Sequence, residues 1–145
     1  VKTVLEVQIG ILENAKSELE NQVSFRTNLT KDEITREYAQ SEVAIVSSLY
    51  EGFGFPVGEA MACAIPLVAT NVASIPEITD SFAQLIPAED SDAIYQGIRN
   101  IFQNPQKYKS QAELGREHII DNFNWKKIGL VYEEILLKTI DDFKC

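Results

Sequence analysis

The chain has 145 residues, 45% of them hydrophobic and 24% charged, which is enough for one domain with a sizeable core and too few for two. Asp and Glu total 22 against 13 Lys and Arg, and the formal charge of -9 argues against capture of nucleic acid or an anionic bilayer by the domain as a whole. Two cysteines, Cys63 in an apolar run and Cys145 at the end, do not make a disulfide framework and point to a reducing, cytoplasmic setting. No apolar run approaches the about 20 residues of a membrane span, and Val1-Lys-Thr3 has no secretion-signal character. Because Val1 is not Met, we read residues 1–145 as one domain taken from a longer protein.

Leu5, Val7 and Ile9 alternate with Glu6 and Gln8, predicting a strand that ends at Gly10, and Ile11, Ala15 and Leu19 have the spacing of a following helix. Val23 to Phe25 reads as the next strand. Thr30-Lys-Asp-Glu33 is a capping box, and Ile34 and Tyr38 continue it as the i, i+4 stripe of a helix. Val43 to Val46 is a buried strand, Val57 to Ala64 a short helix entered through Pro56, and Leu67 to Ala69 and Gln84 to Ile86 are two further strands. After Asp90 the pattern turns helical. Ile94, Ile98, Ile101 and Phe102 form one stripe, and Trp125, Ile128, Val131, Tyr132, Ile135 and Leu136 form another. Pro56, Pro66, Pro76, Pro87 and Pro105 all fall where elements change over, and no repeat or linker interrupts the order. Short strands alternating with helices predict an α/β fold: a three-layer, Rossmann-like parallel sheet in a single domain.

Ligands of such sheets bind at the carboxyl ends of the strands, where loops enter helix N-termini. One loop stands out there, Ser47-Ser-Leu-Tyr-Glu51-Gly-Phe-Gly-Phe55-Pro-Val-Gly-Glu59. Gly52, Gly54 and Gly58 permit close approach of backbone N–H groups, and Pro56 suits a helix start. Free N–H groups at that start favour a phosphate or diphosphate. Glu51 and Glu59 bracket the turn; they repel phosphate but accept hydrogen bonds from sugar hydroxyls. A nucleotide diphosphate sugar carries both kinds of group.

The run Tyr50-Glu-Gly-Phe-Gly-Phe-Pro-Val-Gly-Glu-Ala-Met-Ala-Cys63, with its two glutamates separated by seven residues, resembles the signature of the family 4 (group 1) retaining glycosyltransferases of GT-B fold. The resemblance continues through Pro66-Leu-Val-Ala-Thr70, Ile75-Pro-Glu-Ile78, Pro87-Ala-Glu-Asp90, Phe123-Asn-Trp125 and Tyr132-Glu133, covering about Val23 to Leu137. It implies the C-terminal, donor-binding domain of a two-domain enzyme, with an N-terminal acceptor domain outside this chain. By the same resemblance Glu59 holds ribose hydroxyls, and Glu51, the residue assigned to catalysis, contacts the donor sugar. Gly52, Phe53, Gly54 and Phe55 line the sugar and diphosphate, and Arg26 and Thr27 lie in the loop that packs on the base. No metal, cofactor or protein nucleophile is implied. The leaving diphosphate helps deprotonate the acceptor, and the protein stabilises charge and orients the anomeric carbon.

The chain departs from the family pattern where glycine is usual: at Ala64, around Phe82-Ala83 and near Thr27. Those positions bear on loop shape, and so on base and sugar selectivity, more than on fold. The family's phosphate-clamping Arg and Lys and its acceptor-domain His come from upstream segments, so this polypeptide alone is not expected to turn over substrate. The rival reading is a non-catalytic Rossmann-like regulatory or assembly module with a relict motif. Phe53 and Phe55 read equally as packing for the loop or as surfaces for the ligand. Asp90-Ser-Asp92 reads as a helix cap rather than a metal motif, His118 as a surface or half-buried residue, and Cys63 as a small buried one. Lys107, Lys109, Arg116, Lys126 and Lys127 read as a solvated face, with membrane-surface or anionic-acceptor contact as an unsupported alternative. The last helix carries apolar side chains enough for more than one surface, so exposed apolar area is expected on it.

Overall fold

The computed structural model describes Ser24 and residues 26–143. The strand and helix expected in the first 21 residues, and Val23 and Phe25 of the next expected strand, lie outside the described residues.

Helix α1, Lys31–Gln40, begins as the capping box requires: Glu33 N–H donates to the Thr30 hydroxyl oxygen at 3.4 Å, and Thr30 N–H to the Glu33 carboxylate at 2.8 Å. Tyr38 is buried and Ile34 half-buried, as their spacing predicts. Strands β1 (Ala44–Val46), β2 (Leu67–Thr70) and β3 (Gln84–Ile86) form a parallel sheet in the order β1-β2-β3, with Ala44 opposite Leu67 and Val68 opposite Gln84. Between and after them come α2 (Phe55–Ala62), α3 (Ile75–Thr79), α4 (Ser91–Gln103), α5 (Pro105–Asn122) and α6 (Trp125–Asp142).

The period of two along the strands divides the core into two layers. Ala44, Val46, Leu67 and Ala69 face one way and pack with Val57, Ala60 and Met61 of α2 and Ile75 and Ile78 of α3. Val43, Val68 and Ile86 face the other way and pack with Ile101 and the partly buried Ile94 of α4. Helices therefore cover both faces, and the expected three-layer α/β arrangement is present. α5 lies mainly against α2. Asp90 caps α4, its carboxylate accepting from Ala93 N–H at 2.8 Å, so the Asp90-Ser-Asp92 run starts a helix as expected.

One element differs from expectation. The helix expected at 57–64 runs from Phe55 to Ala62, because the chain reverses at Ala64 with φ +55°. Ala64 N–H donates to Met61 O at 2.9 Å and Ile65 N–H to Ala60 O at 3.4 Å, the bond pair of a Schellman motif, with alanine where glycine is favoured. Near Thr27 the left-handed residue is Asn28, φ +58°, a residue type that tolerates it. Replacing Ala64 by glycine is expected to stabilise the domain by about 1 kcal/mol through relief of left-handed strain, read as a rise in the urea midpoint at constant slope. A lower midpoint would contradict this. In α6, Ile128 is half-buried, Trp125, Val131, Tyr132, Ile135 and Leu136 are exposed and no residue is buried, so the exposed apolar area expected on this helix is present.

Candidate functional site

All three strands run the same way, so the loops after β1, β2 and β3 share one edge of the sheet. The β1–α2 loop is shaped at Gly54, the only glycine with positive φ among the described residues (φ +88°, ψ +47°). Gly54 O starts α2 by accepting from Val57 N–H at 3.0 Å and Gly58 N–H at 3.1 Å, and Pro56 sits in the first turn where its missing donor costs nothing. A Cβ on Gly54 would lie 3.4 Å from Ile78 Cδ1, whereas Gly52 and Gly58 have open space beside them. Of the glycines singled out by sequence, Gly54 alone is required by backbone geometry.

Hydroxyl groups from neighbouring elements tether this loop. Thr70, at the end of β2, donates to Ser48 O at 2.6 Å, and the Ser48 hydroxyl donates to Glu51 Oε1 at 2.7 Å. Ser74, leading into α3, donates to Glu51 O at 3.1 Å, and Tyr38 of α1 donates to Pro56 O at 3.3 Å. Glu51 is half-buried, with its carboxylate aligned by Ser48 and its carbonyl by Ser74. Phe53 is 42% exposed and Phe55 68% exposed, their ring centroids 4.9 Å apart.

Glu59 is exposed on α2, on the side toward Tyr38 and Cys63. Burial first, and then the charges of Glu59 and Cys63, push the Tyr38 phenol up to about 12. The Cys63 thiol is likewise raised by burial and Glu59 against the opposing pull of Arg116, which suits a packing residue rather than a nucleophile. The folded chain holds the Tyr38 proton more tightly than the unfolded chain. Stability from this group is therefore complete below about pH 10 and is lost as pH rises to about 12. Tyr38→Phe is expected to flatten that decline, measured by urea unfolding at pH 9 and pH 11.5; an unchanged pH slope would refute the assignment.

Arg26 pairs with Glu37 at 3.0 Å, which ties it to α1 one residue before Tyr38. Thr27 is exposed. Among the described residues no ion pair or hydrogen bond joins Arg26 or Thr27 to residues 51–59, while Glu51, Gly52, Phe53, Gly54, Phe55 and Glu59 are brought together by one loop and the start of one helix. Sequence reasoning missed the tethers Ser48, Thr70, Ser74 and Tyr38. Ser48 and Thr70 carried only the signal of hydroxyls at strand ends, and no position among the four names a partner. His118 is half-buried, as expected, between rings of Phe82 and Phe123. The basic residues late in the chain are exposed; Arg116 donates across to Ala62 O of α2, Lys127 donates to Asp121 O, and Lys107 lies over the Tyr108 ring.

Fold and loop together define a Rossmann-like parallel α/β domain with its main loop tethered at the carboxyl ends of the strands. The sequence model for glycosyl transferases group 1 matches residues 11–118, and the chain belongs to that family. It is 29% identical over 119 residues to the MMP alpha-(1->4)-mannosyltransferase of Mycolicibacterium hassiacum, covering 77% of this chain and 29% of that protein. It is 39% identical over 67 residues to the O-antigen chain mannosyltransferase B of Escherichia coli, covering 46% of this chain and 18% of that one. Among solved structures, sucrose-phosphate synthase from Thermosynechococcus elongatus superposes with TM-score 0.80 at 27% identity, covering 90% of this chain and 34% of that chain. The chain thus spans about a third or less of each of these three proteins. The GT-B type of domain expected from the Glu51 to Glu59 motif is the one present. Among the described residues no helix is long and apolar enough to cross a membrane.

Proposed function

We propose that this chain is the donor-binding domain of a retaining glycosyltransferase that moves a hexose from a nucleotide diphosphate sugar to an acceptor hydroxyl. The observation that carries the reading is the fixed carboxylate of Glu51 beside the N-terminus of α2: Ser48 holds one oxygen at 2.7 Å and Ser74 holds the backbone at 3.1 Å. A carboxylate aligned this way accepts sugar hydroxyls, while the free N–H groups of the helix start suit the diphosphate. Glu51 then orients the donor sugar for transfer, Glu59 takes ribose hydroxyls, and Gly52, Phe53, Gly54 and Phe55 line the sugar and diphosphate. Arg26 and Thr27 belong to the base end, reached through α1. No metal and no protein nucleophile are invoked. The departing diphosphate accepts the acceptor's proton, and catalysis rests on positioning and charge stabilisation. Two relatives are named as mannosyltransferases, which favours a hexose donor. An acceptor domain outside this chain completes the enzyme, and the cytoplasmic setting expected from cysteine usage belongs to the same reading. The chain alone binds donor without turning it over.

Calorimetric titration of the full chain with UDP-glucose, UDP-N-acetylglucosamine and GDP-mannose tests this. One of them is expected to bind, and Glu59→Ala to weaken that binding by about 1–3 kcal/mol through lost charge-assisted hydrogen bonds. A folded chain with no affinity for any of the three overturns the reading.

A further inference from the structure

Beside the loop, aromatic rings from separate elements form one continuous chain. Phe53 meets Phe55 at 4.9 Å and Phe123, in the α5–α6 junction, edge-on at 5.9 Å. Phe123 meets His118 of α5 at 5.8 Å, and His118 meets Phe82, which precedes β3, at 5.3 Å. The hydrogen bonding of His118 is that of a ring kept for its shape. Asn122 Nδ2 lies 3.1 Å from His118 Nδ1 and donates to His118 O at 3.0 Å. Nε2 of the same ring is buried without a hydrogen-bond partner among the described residues. A buried ring nitrogen left unpaired is unfavourable, so the position uses the flat face of the ring rather than its polarity.

The loop needs such support at one place. Glu51 is held by Ser48 and Ser74, and Gly54 by its own geometry against Ile75 and Ile78. Between them Gly52 has open space beside it, and Phe53 is anchored through its ring. Phe55, the other ring touching Phe53, is itself mostly exposed and offers little rigidity. The firm contact is Phe123, backed by His118 and Phe82.

We propose that Phe123 and His118 are positioning residues that act through Phe53 to hold residues 51–55 in place. They transmit the rigidity of α5 to the loop by edge-on and tilted ring contacts. This deepens the donor-binding reading and rests on it only in calling the loop a donor loop.

Amide hydrogen exchange of the full chain provides a test that needs no ligand. Val57 and Gly58 N–H groups close on Gly54 O and so report opening of the loop, while Val68 and Ala69 in β2 report the core. Phe123→Ala is expected to speed exchange at Val57 and Gly58 about three- to tenfold with Val68 and Ala69 unchanged. Phe123→Tyr and His118→Phe, which keep a ring in place, are expected to behave as the wild type. If Phe123→Ala does not fold, Phe123→Leu, which keeps apolar volume without a ring, is read the same way. Unchanged loop exchange, an equal increase in β2, or a loosened loop in His118→Phe overturns the proposal. Affinity for UDP-glucose or GDP-mannose is expected to fall by the same factor as loop exchange rises. If the wild type binds no nucleotide sugar, the donor-binding reading fails, and the exchange result alone decides the role of the rings.

Discussion

Replacing Gly97 by leucine is expected to cost about 3 kcal/mol or more and to leave the chain partly or wholly unfolded at ambient temperature. Gly97 is buried in α4 where that helix crosses β2, and a Cβ there would lie 2.9 Å from Val68 Cγ1 and 3.2 Å from Cγ2. Val68 is fully buried and has one stiff side-chain torsion, so it cannot swing aside; the helix itself must lift from the sheet. Even Gly97→Ala is expected to destabilise, because overpacking of about 1–3 kcal/mol outweighs the gain of about 1 kcal/mol in helix propensity. Thermal unfolding by circular dichroism checks both variants. An alanine variant that melts above the wild type would show that the helix can move away at little cost.

Replacing Gly54 by valine is expected to be nearly as damaging and to act on the site as well as on stability. At φ +88° a β-branched residue is strained by about 1–2 kcal/mol, and its side chain would press on Ile78 Cδ1 at 3.4 Å and Ile75 Cγ1 at 3.8 Å, both in the core. The combined cost is about 3 kcal/mol, and the carbonyl that starts α2 must shift with it. On the proposed function, donor affinity then falls by more than about tenfold, since the loop backbone and the helix start move together. Gly52→Ala is the stability control: open space lies beside Gly52 and its φ is not positive, so the urea midpoint should hardly change. Equal behaviour of the two variants in urea unfolding would refute the distinction.

The difference between those two glycines shows where legibility in the sequence stopped. The Gly-Phe-Gly-Phe-Pro run marked the loop and its place before a helix, and the capping box at Thr30 marked the start of α1 to the residue. The strand at Gln84 to Ile86 was placed without error and those at Ala44–Val46 and Leu67–Thr70 to within one residue, since short β-branched runs between turn signals have few alternatives. The loss of the family's glycine at Ala64 was visible, but not that alanine would take the left-handed position and end α2 two residues early. That outcome depends on Ile65, 4% exposed, being drawn into the core hard enough to hold the strained turn.

The apolar stripe of α6 teaches the opposite lesson. The exposed apolar area expected there is present, with Trp125 85% exposed and Leu130, Ile135 and Leu136 more than half exposed, although the spacing alone is that of a core-facing helix. Periodicity states which face of a helix is apolar and carries no information about what covers it.

By itself the sequence determined the alternation of strands and helices, the family, and the glycine-rich loop after β1, because each is written in local patterns of spacing and residue type. Only the tertiary structure decided which side chains serve that loop. The Thr70, Ser74 and Tyr38 hydroxyls and the Phe123 ring reach it from other elements, up to 70 positions away between Phe53 and Phe123. Such contacts exist only once parallel packing has brought the strand ends to one edge of the sheet, so no local pattern can record them.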